Sequence, residues 1–140
     1  MVHAIVSKYV VPFPMTSRIA VQFFRDANVH FDLIHIDAAH EYADIKEDIN
    51  VWLPLLAKCG VMLGDDYSQS WPGVVRAVDE LNTSKPGYKV VRPSVEQGGK
   101  KTDPLGGKWW LRPRGCGAQT QRSSKHKIGL KKGETKPSLS

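Results

Sequence analysis

The first 30 residues of this chain contain no glycine, so no Gly-rich turn is possible there. Cysteine is nearly absent as well. Cys59 and Cys116 are the only two, and their spacing offers neither a metal-ligand motif nor a disulfide framework. A reducing compartment is therefore the default expectation. No apolar run approaches the length of a membrane span. The N-terminus also lacks the basic region, apolar core and small-residue cleavage site of a signal peptide. These absences exclude a membrane partner and predict a soluble, cytoplasmic protein. No internal repeat is present.

An excess of positive charge is missing from most of the chain too. Residues 1–112 hold 13 Lys+Arg and 13 Asp+Glu, a net of zero. Residues 113–140 hold 7 Lys+Arg against the single Glu134, which accounts for the whole +6. A basic nucleic-acid-binding domain is not expected on that balance. Apolar residues are scarce from Pro113 onward, and Gly, Ser, Lys and Gln dominate. The expected organisation is a folded α/β domain over 1–112 and a basic disordered, solvated tail over 113–140. At 140 residues the chain is one domain at most.

What is present alternates between strand and helix patterns. Val2 to Val11 is β-rich and stops at Pro12 and Pro14. Thr16 or Ser17 can cap a helix to about Ala27, with Ile19, Ala20, Phe23 and Phe24 on its apolar side. Phe31 to Ile36 reads as a buried strand. Glu41 to Ala57 reads as a helix carrying Ile45, Ile49, Trp52 and Leu56, interrupted or ended near Leu53 by Pro54. Lys58-Cys59-Gly60 is the expected helix stop, with Gly60 at positive φ. Val61 to Leu63 is a second buried strand. Ser70 can cap a helix from Trp71 to Leu81 with Val74, Ala77, Val78 and Leu81 buried. Tyr88 to Arg92 and Lys108 to Arg112 alternate as strands do, and the segment Gln97 to Gly107 makes them a hairpin with a long loop. Trp109 and Trp110 face opposite sides, one toward the core. The order β-α-β-α-β-α-β-β predicts a mostly parallel sheet with an antiparallel edge.

Each buried strand stops abruptly at carboxylates. Asp37 ends the first; Asp65 and Asp66 end the second. If the strands are parallel neighbours, three carboxylates converge at one sheet edge, which is costly unless a hard cation or cationic ligand neutralises them. His40 lies at the same crevice mouth and suits acid/base work, or simply bonds backbone at a helix start. His35 lies mid-strand and reads as a packed core or sheet-face residue. Tyr42 and Tyr67 either line the pocket or pack at helix starts.

Three ordered motifs carry a resemblance: Ile36-Asp37-Ala38-Ala39-His40-Glu41-Tyr42, Gly64-Asp65-Asp66-Tyr67 and Trp71-Pro72-Gly73-Val74. They resemble the C-terminal half of a class I S-adenosylmethionine-dependent methyltransferase, nearest to the metal-dependent small-molecule O-methyltransferases. The resemblance spans about residues 16–82 and extends weakly to Leu111. It implies a partial Rossmann-like sheet, mostly parallel with a C-terminal antiparallel hairpin, lacking the first strands. By register, Val2 to Val11 is similar to the family's third strand. The resemblance further implies Mg²⁺ or another divalent cation on Asp37, Asp65 and Asp66, catalytic roles for Asp37 and His40, and S-adenosylmethionine contacts at Asp37, His40 and Tyr42. The family's Gly-rich turn and the acidic residue that holds the ribose have no counterpart here.

The expected function is metal-assisted O-methylation of a small hydroxylated metabolite by a truncated methyltransferase domain. On this reading a missing N-terminal half or a homo-oligomer completes the fold. Two alternatives stand beside it. One is a non-catalytic remnant or interaction module. The other is a metal-dependent hydrolase using the Asp cluster to activate water.

Overall fold

The structure, a computed structural model, describes residues 9–96, 98–100 and 103–116. Within them the chain forms helix α1 (Ser17–Asp26), strand β1 (Phe31–Ile36), helix α2 (Tyr42–Trp52), a 3-10 turn (Leu53–Leu55), strand β2 (Leu56–Gly64), helix α3 (Pro72–Ser84), and strands β3 (Tyr88–Val91) and β4 (Trp109–Pro113). The strands make one sheet in the order β1-β2-β4-β3. β1 and β2 are parallel, whereas β2–β4 and β4–β3 are antiparallel. The sheet is thus mixed, and the expectation of a mostly parallel sheet is corrected: one described strand pair of the three is parallel. The strand expected over Val2 to Val11 lies largely outside the described residues, and Tyr9–Val11 are not in a strand.

α1 ends where Asn28 takes φ 53°, and Val29 N donates to Phe24 O (2.9 Å) to close the last turn. Its buried residues are Ala20 and Val21, whereas Ile19 and Phe23 are exposed. The expected apolar side is corrected accordingly. α1 rests on α2 and the 3-10 turn, and Phe24 stands edge-on to Phe31 at 5.0 Å.

The boundary between α2 and β2 also differs from expectation. Ile45, Ile49, Trp52 and Leu56 keep helical spacing, but the helix stops at Trp52 and Leu56 already opens a strand. Pro54 cannot donate to a continuing helix, and the chain leaves through the 3-10 turn. Lys58-Cys59-Gly60 is strand and not a helix stop. Gly60 is needed for close approach: a Cβ there would lie 2.9 Å from Phe31 O, where the β1–β2 register shifts. Trp71, not Ser70, precedes α3 as its cap residue, and no side-chain cap bond forms.

One face of the sheet is buried. Ile34, Ile36, Met62, Trp109 and Leu111 pack against Ile45 and Ile49 of α2 and Val74, Ala77, Val78 and Leu81 of α3. The other face is open among the described residues. Leu33 is 60% exposed there, so β1 is only half buried, contrary to expectation. Trp110 is half-buried, as the alternation with Trp109 predicts. Cys59 and Cys116 form a disulfide, which corrects the expectation that the two cysteines offer no disulfide framework. Cys116 follows β4 directly and Arg114 N donates to Gly87 O (2.8 Å), so the ordered chain continues past residue 112. The remainder of the expected tail, 117–140, lies outside the described residues. Among the described residues no helix is long and apolar enough to cross a membrane.

Candidate functional site

The parallel pairing of β1 and β2 builds the site. Ile36 lies opposite Gly64, so the next residues of both strands, Asp37 on one and Asp65-Asp66 on the other, emerge side by side. This is the strand-end crevice where open α/β sheets place ligands. Asp66 takes φ 64°, a left-handed conformation that Asp tolerates better than most residues. That twist gives the two adjacent carboxylates different neighbours.

Asp66 Oδ2 lies 2.7 Å from His40 Nε2. The His40 ring stacks on Trp71, with centroids 4.1 Å apart. Gly73 explains how Trp71 comes so close. A Cβ at that position would collide with the His40 carbonyl oxygen and lie 2.7 Å from Tyr42 N, so only glycine lets the start of α3 seat on this loop. Asp65 has two other partners. Its Oδ2 lies 2.9 Å from His35 Nε2, and its Oδ1 accepts from the Lys108 ammonium. Burial raises the energy of the Asp65 carboxylate, but the Lys108 and His35 hydrogen bonds outweigh it and hold the carboxyl below its ordinary value. The hydrogen bond to Asp65 in turn holds the Lys108 ammonium above its ordinary value. Asp37 is exposed and has no hydrogen-bond or ion-pair partner among the described residues.

The long β3–β4 loop closes over this turn. Tyr67 N donates to Gly107 O (2.8 Å), and the Trp109 indole donates to Asp65 O (3.2 Å). Buried Asp103 organises the loop by accepting from the amides of Gly99 (3.0 Å), Leu105 (2.8 Å) and Gly107. Burial opposes its ionisation, yet these backbone donors hold its carboxyl below the usual range.

The structure therefore brings together Asp37, His40, Asp65 and Asp66. Two donor sets arise, His35–Asp37–Asp65 and Asp37–His40–Asp66, and in each the donor atoms lie within 4.8 Å of one another. Tyr42 is placed differently. Its hydroxyl donates to Glu80 Oε2 (2.8 Å) and Arg76 covers its ring at 3.9 Å, so it faces α3. Tyr67 packs in the core and donates to Asp79 (2.8 Å). Sequence reasoning missed His35, Lys108 and the stacking role of Trp71. His35 carried a signal, since two residues on a strand from Asp37 is the same face. Lys108 carried none without the sheet register.

Residues 3–67 match a family model described as a methyltransferase domain. The match supports a class I S-adenosylmethionine-dependent methyltransferase domain over this stretch. The match covers α1, β1, α2, β2 and the carboxylate turn, ending at Tyr67. No curated protein matches the chain. Within the matched stretch, the carboxylates stand where the two strands end. Lys108 and Trp71 come from beyond the matched stretch.

Proposed function

We propose that this chain supplies the acceptor side of a metal-assisted O-methyltransferase, with a small hydroxylated metabolite as the methyl acceptor. The observation that carries the reading is the Ile36–Gly64 register, which puts Asp37 beside Asp66 with His40 2.7 Å from the latter. The donor chemistry fits a divalent cation. Two carboxylates and one imidazole lie within binding reach of one another, and the mixed oxygen and nitrogen set suits Mn²⁺ at least as well as Mg²⁺. Bound there, the cation would lower the pKa of an acceptor hydroxyl. Asp37 has no hydrogen-bond partner among the described residues, so the oxygen it would not give to the cation is open to take the hydroxyl proton. His40, fixed by Asp66 and the Trp71 ring, would hold the cation from the other side and so orient the acceptor bound to it.

The residues at hand fit S-adenosylmethionine less well. The family implies it as methyl donor, but residues 1–30 hold no glycine for a cradling turn. No donor-side step is assigned to this chain. Tyr42, with its hydroxyl engaged by Glu80, is left out of the proposed cofactor contacts. A second reading is a non-catalytic domain that keeps the cation site without transfer.

Mn²⁺ titration followed by electron paramagnetic resonance, paired with transfer of labelled methyl from S-adenosylmethionine to a panel of catechols and polyols, tests both. Asp37→Asn and Asp66→Asn should each weaken Mn²⁺ binding at least about tenfold. Equal binding by wild type and Asp37→Asn would remove the acceptor-site reading. Cation binding without any transfer would favour the non-catalytic one.

A further inference from the structure

Asp65 and Asp66 are neighbours in sequence with unlike surroundings. Both oxygens of Asp65 are engaged, one by Lys108 and one by His35, while Asp66 bonds only His40 and Asp37 bonds nothing described. We propose that Lys108 acts as a built-in cation that keeps Asp65 out of the metal's ligand set and leaves Asp37, His40 and Asp66 to hold the divalent ion. The inference rests on the cation reading above.

The sheet imposes this pair. β2 and β4 run antiparallel with Gly64 opposite Trp109, so the residue after Gly64 and the residue before Trp109 meet across the strands. Those residues are Asp65 and Lys108. Trp109 is buried, and its indole N–H holds the Asp65 carbonyl, which locks that alignment. The Lys108 backbone is fixed from the other side. Its N–H donates to Leu105 O (3.0 Å), within the loop that Asp103 organises. Lys108 is therefore presented by an ordered turn and does not reach Asp65 from a loose chain.

Charge gives a second, independent argument. Three carboxylates and one ammonium leave two negative charges at this edge, which one divalent cation cancels. Without Lys108 a third negative charge would remain. The Asp65 side chain is also the more enclosed partner, 21% exposed against 38% for Asp66. It has less freedom to turn toward an ion.

The test compares Mn²⁺ affinity and the number of Mn²⁺-bound waters, read from water-proton relaxation, at fixed pH and ionic strength. The proteins are wild type, Asp37→Asn, Asp65→Asn, Lys108→Met, Lys108→Arg and the Lys108→Met/Asp65→Asn double variant, each checked for folding by circular dichroism. Asp65→Asn should stay within about threefold of wild type, while Asp37→Asn loses binding. Lys108→Met should bind about tenfold more tightly and lose one bound water as Asp65 joins the ion. Lys108→Arg should behave as wild type, and the double variant should revert to wild-type affinity and water count. Asp65→Asn failing as Asp37→Asn does would overturn the inference and leave the cation site standing. So would tighter binding by Lys108→Met with an unchanged water count, or no tightening at all. Folded wild type and Lys108→Met both failing to bind would remove the cation reading itself, and this inference with it.

Discussion

Tyr67 is 2% exposed, with its hydroxyl donating to Asp79 Oδ1 at 2.8 Å. Burial first, and the hydrogen bond to Asp79 second, push its pKa up to about 12, against an ordinary value near 10. The folded value lies above the unfolded one. The stabilisation is therefore fully present below about pH 10 and is lost as pH rises through about 12. Absorbance titration of tyrosinate should show Tyr67 ionising near pH 12. Tyr67→Phe should delete that step and flatten the loss of stability between the two pH values. Titration of Tyr67 near its ordinary value of about 10 would contradict the packing described here. At this scale the residues legible from sequence were those that follow directly from one strand's end: Asp37, Asp65, Asp66 and, by motif, His40. Lys108 was not, because its meeting with Asp65 depends on pairing between residues 43 apart in the chain. His35 was legible as a sheet-face residue, but strand periodicity does not say which face is open or that a carboxylate waits there.

Adjacent positions on β4 have opposite burdens. Leu111 is fully buried and paired across from Met62, while Trp110 lies half-buried on the open face. Leu111→Ala should cost about 2–5 kcal/mol, the range for a large-to-small change in a packed core. Trp110→Ala should cost less than half as much despite removing a larger side chain. Urea midpoints of the two variants check this, and a larger loss at Trp110 would mean the open face is covered by something in solution. The same contrast separates the elements that sequence fixed from those it misread. The α3 stripe of Val74, Ala77, Val78 and Leu81 is buried as its 3.6-residue period requires. At the α2–β2 boundary the period misled, because Leu56 continues the spacing of Ile45, Ile49 and Trp52. Pairing with Phe31 on β1 overrides that local pattern, and residues such as Ala57 and Lys58 carry little strand preference to announce it. The α1 stripe failed for a related reason. The helix leans on α2 and the 3-10 turn through Ala20 and Val21, not through its larger apolar side chains.

Among the described residues one face of a small mixed sheet is buried, and a parallel strand pair is ordinarily covered on both. With so limited a core, a cross-link carries much of the stability. The Cys59–Cys116 disulfide closes a loop of 57 residues that contains α3, β3 and β4. By the chain-entropy argument, closing a loop of that length in the unfolded state stabilises the fold by about 4 kcal/mol. It also joins β2 to the end of β4, the two strands whose pairing sets Lys108 opposite Asp65. Cys59 lies six residues before Asp65 on β2, roughly 20 Å away along an extended strand. Its bond therefore constrains the pairing without touching the carboxylates. Reduction, or Cys59→Ser, should lower the urea midpoint strongly while Mn²⁺ affinity of the folded fraction stays near wild type. Two titratable thiols in the native, unreduced protein would show that the bond does not form. A midpoint unmoved by reductant would show that the core holds without it. A loss of Mn²⁺ affinity in step with reduction, at denaturant-free conditions where circular dichroism is unchanged, would mean that the β2–β4 register at the carboxylates depends on the cross-link at the far end.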